Sequence, residues 1–131
     1  MTAALRIYDE IPGAPRRAGV TLRLASERIT AREVIRRRVE QEVAAFNATK
    51  DDVFQGLVQP SESERLLNGF KLRKRRPLDV EQQVAVALEA FAKNGFVLLF
   101  DDRQLEDLDE VVIVTPESSA TFLRLVPLVG G

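Results

Sequence analysis

The chain has 131 residues, 30% of them charged, and a formal net charge of −1. That length fits one domain around a single core, and the charge balance excludes a global pull toward nucleic acid or an anionic membrane. With no Cys and no His, disulfides, thiolate nucleophiles, thiolate metal sites and the commonest general base are all excluded.

Residues 3–9 alternate, with Leu5 and Ile7 on one face, as a half-buried strand does. Two Pro and two Gly between Ile11 and Gly19 mark a loop. Val20, Leu22 and Leu24 then alternate with polar residues in a second strand, antiparallel to the first. Thr30-Ala-Arg-Glu33 is a capping box that opens an amphipathic helix over about 31–46. Its apolar face carries Val34, Ile35, Val39, Val43 and Phe46, and Arg36, Arg37, Arg38, Glu40 and Glu42 fill the opposite face.

From about 47 to 94 the chain reads as a helical insertion. Val53, Phe54, Leu57 and Val58 suit a short helix or an apolar clip, and a turn at Pro60 leads into a second short helix carrying Leu66 and Leu67. The run Lys71-Leu-Arg-Lys-Arg-Arg76 reads as a solvated loop in preference to a nucleic-acid contact, since no aromatics interleave it. Asp79 caps a further helix with Val80, Val84, Leu88 and Phe91 on one side, a core face in preference to a docking face. Asn94-Gly95 supplies its left-handed stop.

Phe96 to Phe100 is an apolar strand, and Asp101-Asp102 suits a turn. Glu106, Asp107, Asp109 and Glu110 cluster acidic oxygens, but they lack the spacing of a calcium loop, so no metal is expected. Residues 111–114 suit a short strand. A final strand over about 120–126 would turn Leu123 and Leu125 inward and Arg124 and Val126 outward. Beyond it stand Pro127, Leu128, Val129, Gly130 and Gly131; a Gly-Gly terminus has no Cβ and can thread a narrow channel. No run reaches the roughly 18 apolar residues of a spanning helix. The amino terminus lacks the pattern of a signal peptide, so the cytoplasm is the expected compartment.

The stretch Phe96 to Asp107, with Gln104-Leu105-Glu106-Asp107 at its end, followed by Phe122 to Gly131, resembles the second half of ubiquitin. The strand–strand–helix order resembles the first half, so the likeness covers about residues 3–47 and 95–131. It implies a single ubiquitin-like domain over 1–131, of α+β class: a β-grasp mixed sheet around one helix, with an insertion at about 47–94. It also implies a non-catalytic protein modifier, without cofactors, joined through Gly130-Gly131 to a target amine. Its partners would be an adenylating enzyme, a conjugating enzyme, a processing peptidase and the target protein, with neither membrane nor nucleic acid. The Arg-rich composition points to a bacterial conjugation system. By the same likeness Leu99, Arg124 and Val126 form a recognition patch, continued by Leu128 and Val129 in the tail. The tail departs from the family pattern, in which Leu and Arg alternate before the glycines, so a dedicated partner set is implied. Two alternatives share the fold: a sulfur carrier that bears a thiocarboxylate on Gly131, and a binding module that never reacts.

Overall fold

A computed structural model describes residues 2–66 and 69–125. The protein is of α+β class. In chain order the elements are β1 (Ala3–Glu10), β2 (Arg17–Leu24), β3 (Arg28–Thr30), α1 (Ala31–Asn47), β4 (Val53–Phe54), β5 (Ser63–Leu66) and β6 (Gly69–Leu72). α2 (Val80–Ala92), β7 (Phe96–Phe100), β8 (Arg103–Leu105), β9 (Val111–Ile113) and β10 (Ser119–Arg124) follow.

The main sheet is mixed, with strand order β2-β1-β10-β7-β8. β1 and β10 run parallel, Ile7 opposite Ala120, and every other pair in this sheet is antiparallel. Alternation along the strands sends Leu5, Ile7, Leu22, Leu24, Leu98, Leu105 and Phe122 to one face, where α1 lies across them with Val34, Ile35, Val39 and Val43. The predicted capping box is formed: the Thr30 hydroxyl accepts the Glu33 N–H at 3.2 Å, and the Glu33 carboxylate accepts the Thr30 N–H at 3.3 Å. β3 has no counterpart in the sequence reading. It pairs with β9, and the carbonyls of Glu110 and Leu108 accept the first two N–H groups of α1.

The insertion differs from its expected helical character. Among the described residues of the insertion only α2 is a helix; the stretch before it is a three-stranded sheet of order β4-β6-β5. Phe54 pairs with Phe70, and Glu64 pairs with Lys71. Strands of two to four residues are too short to declare a period. Leu57 and Val58 are buried beyond β4, and Leu67 lies outside the described residues.

The basic run is a solvated loop only in part: Lys71, Arg73 and Lys74 are exposed, and residues 73–76 lie outside any strand. Lys71 and Leu72 belong to β6, and Leu72 is buried. The Arg75 guanidinium lies 4.3 Å from the centre of the Phe46 ring and donates to the carbonyls of Phe46 and Thr49. α1 has no basic residue in its own last turn, so the insertion supplies the cation that the negative end of the helix favours.

α2 buries Val84, Ala87 and Phe91, as a core helix should, and Asp79 accepts the Gln82 N–H at 3.0 Å. Its left-handed stop falls on Asn94 (φ 60°) instead of Gly95, whose N–H reaches back to the Ala90 carbonyl at 2.7 Å.

Gly56 sits where no side chain fits. A Cβ there would lie 2.1 Å from two atoms of the Phe54 ring, which is itself packed edge-on against Phe46 at 5.5 Å. Gly56→Ala is therefore expected to destabilise the fold by about 1–3 kcal/mol, the usual cost of overpacking, read by urea denaturation.

Candidate recognition face and tail root

β7 sorts its side chains cleanly. Phe96, Leu98 and Phe100 are buried under α1 and α2, so Val97 and Leu99 point to the other face of the sheet, where both are half-buried. β10 continues that face: Leu99 stands opposite Thr121, and Val97 opposite Leu123. Tyr8 of β1 lies on the far side of Thr121, and Gln104 of β8 beyond Leu99. The result is a row across four strands, Tyr8–Thr121–Leu99–Gln104, with Leu123 and Val97 beside it. The Arg16 guanidinium rests 3.7 Å over the Tyr8 ring.

This register corrects the expected phase of the last strand. Ala120 and Phe122 face the core, so Leu123 and Leu125 point outward, and Leu125 is 41% exposed. Phe122 is fully enclosed on the inner face, its ring 5.6 Å from that of Phe96 and under the Arg38 guanidinium. Arg124 follows Phe122 onto the inner face and is therefore not a neighbour of Leu99. Of the other residues expected at the site, Val126, Leu128, Val129, Gly130 and Gly131 lie outside the described residues.

On the inner face Arg124 meets a charge network that the sequence reading missed. Arg38 was expected among the polar residues of α1, yet its side chain is 3% exposed. Its two terminal nitrogens donate to the Asp9 carboxylate at 2.6 and 2.9 Å, and its Nε donates to Glu42 at 3.2 Å. The other Glu42 oxygen accepts the Leu57 N–H at 3.1 Å, which ties the insertion to the network. The Arg38 guanidinium also lies 4.5 Å from the centre of the Phe122 ring. Arg124 closes the chain of charges, 3.7 Å from Asp9, and its Nε is buried without a partner among the described residues. One residue on, the Leu125 N–H reaches the Gly95 carbonyl at 3.4 Å. The root of the tail is thus held from β1 on one side and from the end of α2 on the other.

A signal for this network exists in the sequence. Arg38 and Glu42 are one helical turn apart and in phase with Val34 and Phe46, so they stand on the buried stripe, not opposite it. Residue type had outvoted position.

Burial is the largest influence on Glu42 and pushes its carboxyl above the ordinary value of 4.5, against the opposing pull of Arg38. For Arg38 burial acts downward, but Glu42 and Asp9 together outweigh it and the net shift is up. Burial pulls Arg124 down. Because the folded protein holds the Glu42 proton more tightly than the unfolded chain does, the associated stability is present below pH 4.5 and is lost as pH rises through the folded value. Wild type is accordingly expected to lose stability relative to Glu42→Gln between acid and neutral pH. Paired urea titrations check this; a gap that widened in favour of wild type on raising the pH would reverse the assignment.

Glu110 accepts from Arg103, Asp109 pairs with Arg32 at 3.2 Å, and Asp107 accepts the Asp109 N–H. The acidic cluster therefore has partners of its own. Among the described residues no group of His, Cys, Asp and Glu is arranged to hold a metal. No described helix is long and apolar enough to cross a membrane. No family model, curated protein or solved structure matches the chain.

Proposed function

We propose that the chain is a β-grasp protein that serves as a ubiquitin-like modifier, activated at the carboxylate of Gly131 and joined to an amine of a target protein. The observation that carries this reading is the strand order β2-β1-β10-β7-β8 with α1 across one face. That order puts the last described strand in the middle of the sheet, parallel to the first. The chain leaves from the end of this strand, within a few residues of Gly130-Gly131. The half-buried Val97, Leu99 and Leu123 give a partner an apolar strip beside the point of departure.

A carboxylate is a poor acyl donor because oxide is a poor leaving group. In the proposed reaction the Gly131 carboxylate displaces pyrophosphate from a nucleoside triphosphate on a partner enzyme, which forms an acyl adenylate. A target amine then attacks the acyl carbon directly and expels AMP, or a thiol of a conjugating enzyme does so first and the amine then expels that thiolate; the amine loses a proton as the amide forms. The chain's own part is to present the glycines and be recognised. Such a role asks for no His or Cys, and the chain has neither. Intact-mass spectrometry of host lysates tests the reading: a ladder of heavier adducts supports it, whereas a gain of sulfur for oxygen on the free chain, or no change, opposes it.

A further inference from the structure

The β2 side of the main sheet is an open edge by topology, yet part of it is already occupied. β2 pairs with β1 through Leu22 opposite Leu5 and Leu24 opposite Ala3. The backbone groups of Thr21 and Arg23 point the other way, to where a further strand would lie. Two residues of α1, one helical turn apart, take those groups instead. The Arg23 N–H donates to Gln41 Oε1 at 3.0 Å, and Gln41 Nε2 donates to the Thr21 carbonyl at 3.2 Å. Arg37 Nε donates to the Arg23 carbonyl at 2.7 Å. Each of these is a ladder bond made by a side chain. Upstream, a register shift between Arg6 and Tyr8 breaks the regularity of the same edge, and the opposite edge is the three-residue β8. Bulges and very short edge strands are the usual ways of blunting a sheet. From Thr21 to Leu24, just past that shift, the register is regular, and among the described residues Arg37 and Gln41 cover the span.

We propose that Arg37 and Gln41 stand in for a neighbouring strand, and that the edge beneath them is a self-pairing surface for a second copy of this chain, kept closed by these two side chains. A second copy fits because antiparallel pairing centred on Leu22 sets Thr21 of each copy opposite Arg23 of the other. Those are the residues whose outward groups would be released. Within the regular part of β2 the same register opposes no like charges: Thr21 faces Arg23, and the exposed Val20 faces Leu24.

The test uses the full chain with Arg37→Ala and Gln41→Ala together; alanine favours the helix at both positions. Wild type is expected to sediment as a monomer across the concentration range. The double variant, with its circular dichroism unchanged, should rise toward a dimer with increasing concentration. Adding Thr21→Pro removes an outward N–H from the edge without touching the β1 side, so it should restore the monomer. A double variant that stays monomeric while folded overturns the proposal. So does a wild type that associates as strongly as the double variant, or an association that Thr21→Pro leaves intact, since another surface would then be in use.

Discussion

Arg38→Ala is expected to cost about 3–5 kcal/mol, the range for breaking a buried ion pair from one side. That is a large share of the roughly 5–15 kcal/mol that holds a typical domain together. The loss has two parts. Asp9 and Glu42 would be left as carboxylates with side-chain exposures of 25% and 9% and no guanidinium between them. The Phe122 ring would also lose the cation stacked on it. Urea denaturation at neutral pH reads the sum, and the penalty should shrink as the pH falls, because the buried Glu42 carboxyl then takes up a proton. Arg38→Met combined with Glu42→Gln should lose less than Arg38→Met alone, since the second change removes a stranded charge and keeps an acceptor for the Leu57 N–H. A cost below about 1 kcal/mol for Arg38→Ala, typical of surface positions, would return Arg38 to the solvated face on which its residue type first placed it.

Deleting Gly130 and Gly131 is expected to abolish covalent adducts altogether, because the modifier reading places the point of attachment on Gly131. The argument is chemical. Without the glycines the terminal residue is Val129, whose β-branched side chain is stiff and crowds its own carboxylate. A channel shaped for two residues without Cβ atoms should refuse it. Tagged full-length and truncated chains expressed in the host and compared by mass spectrometry separate the outcomes. Adducts that persist on the truncated chain would end the reading in which Gly131 is the point of attachment.

Short-range signals in the sequence were faithful. The Thr30–Glu33 capping box, the Asp79 cap and the apolar strand from Phe96 to Phe100 each depend on residues within a turn or a few strand positions, and each is formed. Long-range pairing was not legible. Phe54 meets Phe70 across a strand pair of two residues, and nothing in Val53-Phe54 alone distinguishes a strand from a clip. The phase of β10 failed for a related reason: it depends on which residue the core encloses, and that is Phe122, not Leu123. Leu99 stands on the outer face because β7 alternates, a phase that five consecutive apolar residues do not declare; in the sequence only the resemblance singles it out. Arg124 was misplaced along with the phase. The burial of Arg38 was legible by position, and a habit of sending arginines to solvent obscured it.

One consequence of the sheet order concerns synthesis. β10 is the last strand to leave the ribosome, yet it lies between β1 and β7. Until it arrives, the nascent chain holds two separate hairpins, β1–β2 and β7–β8, each with an unfilled inner edge. Closure of the sheet must therefore wait until β10 has been made. A chain interrupted before Ser119 would carry two sticky, unpaired borders, the kind of fragment that chaperones and proteases exist to intercept.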